Sequence, residues 1–129
     1  MAFKELTLNN FRCFKSTKIE LSPGINFFYG KNGSGKTSLL EAIHLCSSGK
    51  SFKSSNLQAL IAQGEDSFSL KSYDVDKGYI LSVTKEKNKS ISVLINNTKT
   101  TSSRLIREFP STAIHNNTFS FADASPDFR

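Results

Sequence analysis

Eight consecutive residues, Gly30-Lys31-Asn32-Gly33-Ser34-Gly35-Lys36-Thr37, fit the pattern G-x-x-x-x-G-K-S/T without a mismatch. Each residue type has a physical task in that pattern. Gly30, Gly33 and Gly35 let the backbone turn through conformations closed to other residues, so that successive N–H groups converge on an anion. A helix starting near Lys36 adds its unpaired first N–H groups and the positive end of its dipole at the same place. Lys36 then extends over the β- and γ-phosphates of a nucleotide as the catalytic cation. The Thr37 hydroxyl is placed to ligate Mg2+. A merely flexible glycine-rich turn is the alternative, and it leaves the flanking sequence unexplained.

Those flanks are what must position the loop. Before it, "INFFY" (25–29) is a compact apolar run that suits a strand buried on both faces. After it, Leu39, Leu40, Ala42, Ile43 and Cys46 recur at helical spacing with Glu41 and Ser48 on the other side, predicting a helix over 36–47. Upstream, "FKELTLNNF" (3–11) and "STKIELS" (16–22) read as two strands, with Arg12 on the turn between them. Downstream, "SNLQALIAQ" offers a serine N-cap and a short helix ending before Gly64. The segments 67–75, 79–87 and 91–97, separated by "DKG" and "NKS", predict an antiparallel meander. "TSSRLIREF" (101–109) reads as a third helix closed by Pro110, and "STAIHN" as one more short strand.

The bulk numbers bound the answer. A chain of 129 residues, 37% hydrophobic and 22% charged, fits one ordinary folded domain rather than a disordered segment. No apolar run approaches the ~20 residues a membrane-spanning helix requires, and the opening "MAFKELTLNN" places charges where a signal peptide has its apolar core. A cytoplasmic protein with no membrane partner is expected. Cys13 and Cys46 form no C-x-x-C pair, so two buried thiols are expected rather than a zinc site or disulfide. The net charge of +6 favours polyanionic partners, although it is spread along the chain.

A resemblance sharpens this. Asn10-Phe11-Arg12-Cys13-Phe14 on the first hairpin, Gly24-Ile25-Asn26 before the loop, and the loop itself resemble the N-terminus of the ABC-type ATPases that maintain chromosomes: the RecF family, SMC proteins and their double-strand-break repair relatives. Within that set, "LSPGINFFYGKNGSGKTSLLEAIHLCSSGKSFKSS" is most similar to the RecF family, whose helix is followed by a basic stretch, here Gly49-Lys50-Ser51-Phe52-Lys53. The likeness is dense from Leu6 to Ser54 and returns in "FSFADASPDFR", which is similar to that family's signature segment; Ala124 stands where a glycine is usual, and the chain stops at Arg129.

The resemblance implies an α/β P-loop NTPase fold: the N-terminal lobe of an ABC-type ATPase head over 1–129, with a mixed sheet around the P-loop helix and an antiparallel β-subdomain at about 67–97. It implies ATP and Mg2+ as ligands, with Gly30, Lys31, Asn32, Gly33, Ser34, Gly35, Lys36 and Thr37 around the phosphates. Arg12 would contact a phosphate or the adenine side (a solvated turn arginine is the alternative), and Asn26 would support the loop or its ligand (the alternative is a strand-edge asparagine). Lys50 and Lys53 would face DNA or a partner head, against the alternative of a solvated loop. Implied partners are DNA bound without sequence preference, a second copy joined through nucleotide, and recombination mediator proteins. A glutamine loop is expected near "PSTAIHNNT", yet that stretch holds Ser111, Thr112, His115 and Asn116 and no Gln. His44 and His115 read as structural.

Hydrolysis by this class also needs four apolar residues followed by Asp-Glu, and the sequence has no such run. The expectation is an N-terminal lobe of a longer protein that alone binds nucleotide weakly or not at all and hydrolyses none. A GTPase is disfavoured because the residue three after Asp74 is Lys77, not Gly, and Asn88-Lys89 is followed by Ser90-Ile91. A small-molecule kinase would show an arginine-bearing helical lid where this chain has its meander. A non-catalytic docking module is the remaining alternative.

Overall fold

The computed structural model of the chain describes residues 3–51 and 56–114. Two strands, β1 (Phe3–Phe11) and β2 (Phe14–Glu20), form a hairpin closed by Arg12 and Cys13, with Phe11 opposite Phe14. Arg12 has φ +54°, the left-handed conformation that a two-residue hairpin turn demands. The tip is clamped from the side: Arg12 N–H donates to the Leu60 carbonyl at 2.8 Å, and Ala62 N–H to the Asn10 carbonyl at 2.8 Å.

The meander follows: β3 (Ser67–Asp74), β4 (Tyr79–Glu86), β5 (Ser92–Ile95) and β6 (Thr98–Lys99). Its turns use the expected chemistry, with Gly78 at φ +67° and Asn88 at φ +61°. Strand β6 was not foreseen; Asn96 and Asn97, both at positive φ, turn the chain back after β5. All six strands form one sheet in the order β2-β1-β3-β4-β5-β6, and every pairing is antiparallel. The first hairpin and the meander are therefore continuous through β1–β3, instead of a mixed sheet with a separate meander beside it.

One face of this sheet carries the core. The alternation of β1 buries Leu6 and Leu8, opposite Ser72 and Leu70 of β3, which pair in turn with Leu81 and Val83 of β4. Helix α1 (Lys36–Ser48) covers that face with Leu39, Ala42, Leu45 and Cys46. Helix α2 (Ser102–Glu108), capped by the Thr101 hydroxyl, adds Leu105 beside it. Phe109, fully buried, packs its ring against Phe3 at 5.9 Å and Tyr79 at 6.0 Å. Phe11 meets Phe68 edge-on at 5.1 Å. Among the described residues no helix is long and apolar enough to cross a membrane.

Five expectations are corrected, the first being that Cys13, expected to be buried, is exposed on the hairpin turn while Cys46 alone is buried. The run 25–29 is not a strand: Ile25, Phe27 and Tyr29 are 78%, 83% and 92% exposed, and only Phe28 packs against the core. A doubly buried parallel strand needs strand neighbours on both sides, and none of the described strands pairs with this run. Glu41 and Ser48 are buried while Leu40 is half-exposed, because α1 turns its Glu41 side toward the hairpin tip. Residues 57–60 form a 3-10 turn capped by Asn56, not an α-helix capped by serine. Residues 111–114 form no strand.

Candidate nucleotide-binding site

The phosphate loop leads directly into α1. Gly35 is the residue before the helix, at φ +99°, and no side chain caps the helix start, which leaves first-turn N–H groups open for a ligand. Gly33 is also left-handed, at φ +81°. A Cβ on Gly35 would lie 2.9 Å from Phe14 Cζ and 3.0 Å from Cys13 Sγ, so the loop is pressed against the hairpin tip. Ser34 N–H donates to the Lys31 carbonyl at 3.1 Å, folding the loop on itself. The Lys36 ammonium reaches back across the loop and donates to the Gly30 carbonyl.

Beside this loop is a cleft of about 570 Å³, within the usual size of small-molecule sites. Asn32, Gly33, Gly35, Lys36, Thr37 and Ser38 line it from the loop and the first turn of α1, and Arg12, Cys13 and Gln63 complete the wall. The residues present fit a nucleotide: a left-handed glycine loop, an uncapped helix start and an ammonium at the loop mouth form one anion-seeking surface. Thr37 lines the cleft, and among the described residues no group of three His, Cys, Asp or Glu could hold a metal.

The other sequence-predicted residues divide. Arg12 lies on the cleft wall but is not merely solvated: its Nε donates to Glu41 Oε1 at 3.0 Å and its Nη2 to Oε2 at 3.2 Å. Gly30 and Ser34 line an adjoining apolar groove with Phe27 and Tyr29, and Lys31 is exposed. Asn26 does not reach the cleft; its carboxamide exchanges two 2.9 Å hydrogen bonds with the Ser22 backbone, bracing the turn that leads toward the loop. Lys50 is exposed, following Gly49 at the end of α1. Lys53, His115, Asn116 and the segment 124–129 lie outside the described residues.

His44 and Ser111 lie away from this cleft. Ser111 Oγ sits 3.2 Å from His44 Nδ1 and 2.7 Å from Ser47 Oγ, tying the segment after α2 to α1. Burial holds the His44 imidazole below its ordinary pKa. Burial also pushes the Cys46 thiol up to about 12. Sequence reasoning missed Cys13, Ser38 and Gln63 on the cleft wall, and Glu41 behind it. Ser38 follows directly from the motif's helix register; Gln63 and Glu41 carry no sequence signal of their own, since folding alone brings them to the hairpin tip.

A family model described as AAA domain matches residues 5–124. The chain belongs to the AAA domain family. Its architecture is the α/β P-loop NTPase fold with an antiparallel sheet, as in ATPase heads. Among curated relatives, the DNA replication and repair protein RecF of Thermoanaerobacter sp. (strain X514) is 44% identical over 109 residues, covering 81% of this chain and 30% of that protein. The same-named protein of Francisella tularensis subsp. novicida (strain U112) is 33% identical over 131 residues, covering 100% of this chain and 38% of its own length. The chain thus spans about a third of the length of these relatives. Of solved structures, the recombination mediator protein RecF with ATP superimposes with a TM-score of 0.86 at 26% identity, over 98% of this chain and 36% of that one. An SMC ATPase structure reaches 0.77 at 19% identity, over 98% and 93%, a likeness of fold alone. This AAA-family chain has the P-loop NTPase fold and is homologous to the RecF proteins over their shared stretch.

Proposed function

We propose that this domain is the ATP-binding, N-terminal lobe of a RecF-like protein of DNA replication and recombinational repair. The observation that carries the reading is the cleft in which the glycine loop, the uncapped start of α1 and Arg12 meet. The N–H groups around Gly33 to Thr37 receive phosphate oxygens, Lys36 leaves the Gly30 carbonyl to neutralise them, and the Thr37 hydroxyl holds Mg2+. ATP in this setting supplies the charged bridge that joins two such heads, and its hydrolysis the means of release. Because the sequence has no apolar-Asp-Glu run to hold a second metal contact and base, this lobe alone binds nucleotide weakly and does not turn it over.

In the longer protein, the partners would be a second copy joined through nucleotide, DNA held through its phosphates with Lys50 and Lys53 as contacts, and recombination mediator proteins. Phosphate contacts carry no base information, so binding should be sequence-independent and fall steeply with salt. The test is calorimetric titration with Mg·ATP. Hydrogen bonds to charged groups are worth about 1.5–3 kcal/mol, so Lys36→Ala should weaken binding roughly 10- to 150-fold while the melting temperature holds. Undiminished binding by that variant, or phosphate release by the wild type that the variant abolishes, refutes the proposal.

A further inference from the structure

Glu41 is the most enclosed acidic group near the cleft. Its side chain is 0% exposed, on a helix side that periodicity assigns to solvent. A carboxylate withdrawn from water is costly unless it is paired and hydrogen-bonded, and Glu41 is both. It accepts from Arg12 Nε at 3.0 Å and from Arg12 Nη2 at 3.2 Å, and it also accepts from the Ser51 hydroxyl. The three contacts join separate stretches of chain: the hairpin tip, the body of α1 and the strand of loop that leaves it.

The geometry of the pair decides what remains available. A guanidinium has five N–H donors in a fixed planar fork. The side-on grip takes one from Nε and one from Nη2, leaving both Nη1 hydrogens and one Nη2 hydrogen. Arg12 side-chain exposure is 24%, and the residue lines the cleft. Its backbone is fixed as well, at φ +54° with its N–H on the Leu60 carbonyl. Such an arginine has few ways to move while the carboxylate holds it.

We infer that Glu41 is a positioning residue for nucleotide binding: it acts through Arg12, fixing the guanidinium so that its remaining N–H groups meet the ligand's oxygens. The inference rests on the ATP-binding reading of the cleft. Without the carboxylate, Arg12 would have to be ordered at the moment of binding, and that entropy would be drawn from affinity. The opposing expectation is that Glu41 weakens binding by neutralising Arg12's charge. The two differ in sign.

The test compares wild type, Glu41→Gln, Arg12→Gln and the double variant in Mg·ATP titrations of the 129-residue protein, with thermal melts of each. Glutamine keeps the shape of Glu41 and a hydrogen-bond acceptor, so Glu41→Gln is the variant best suited to stay folded. At a temperature where all four are folded, it should weaken Mg·ATP binding about tenfold, within the range for coupled neighbours. In the Arg12→Gln background the same change should have no further effect. Equal or tighter binding by folded Glu41→Gln overturns the inference, as does a tenfold loss that persists without Arg12. If Arg12→Gln does not fold, Arg12→Lys takes its place in the cycle, since lysine keeps the charge and loses the planar grip. Absence of binding by wild type would overturn the nucleotide reading itself, a result distinct from the other two.

Discussion

Replacing Gly35 with alanine separates the loop's architecture from its charge. Two costs arise at one atom. The residue sits at φ +99°, ψ 9°, where an L side chain is strained, at about 1–2 kcal/mol. The new methyl would also stand 2.9 Å from Phe14 Cζ and 3.0 Å from Cys13 Sγ. Forcing a methyl into a packed contact costs about 1–3 kcal/mol; the lower half applies because Phe14 offers a ring tip and Cys13 is exposed. Together these give about 2–4 kcal/mol, a large part of the ~5–15 kcal/mol by which domains are stable. In urea, with a slope of about 2 kcal/mol/M, the unfolding midpoint should fall by about 1–2 M. Binding of Mg·ATP should fall too, even where the variant is fully folded, because the N–H at this position can no longer point with its neighbours. A midpoint within about 0.25 M of wild type, equivalent to the ~0.5 kcal/mol of an inconsequential surface change, would refute the left-handed loop and its seat on the hairpin.

Two further outcomes follow from buried groups. His44 has its pKa lowered from an ordinary value of 6.5 by burial, so the unfolded chain binds its proton more readily than the native one. Its share of stability is whole above about pH 6.5 and is lost as pH falls through the lowered value; the drop in melting temperature from pH 7.5 to 5.5 should be smaller in His44→Asn, and an equal drop would contradict this. Cys46 is buried with its thiol near 12, while Cys13 is exposed. Iodoacetamide at pH 8 should therefore alkylate Cys13 alone in the native protein, and mass spectrometry locating label on native Cys46 would count against the described core.

What the sequence revealed depended on whether a signal was local. The glycine loop, the helix after it and the three hairpin turns are specified by residues a few positions apart, and each stands where its pattern places it. Glu41 shows the limit: its partner Arg12 is 29 positions away, and a periodicity that sorts residues by polarity cannot distinguish a wet side from one sealed by an ion pair. Arg12 lines the cleft, yet its lock lies in the helix. Asn26 stays off the cleft and braces the turn that leads toward the loop through the Ser22 backbone, a local bond its position before the loop does not reveal. The run 25–29 misled because apolar content reports a wish for cover, and not which neighbour supplies it.

That uncovered run has a colloidal consequence. Ile25, Phe27 and Tyr29 present three exposed apolar side chains at alternate positions of one short run, a surface on which molecules can associate. At low ionic strength the net charge of +6 keeps copies apart. Added electrolyte shortens the reach of that repulsion to about 8–10 Å and strips the protection away. A salt titration that tests the proposed DNA binding must therefore be read beside light scattering, which tells a released duplex from a clumped protein.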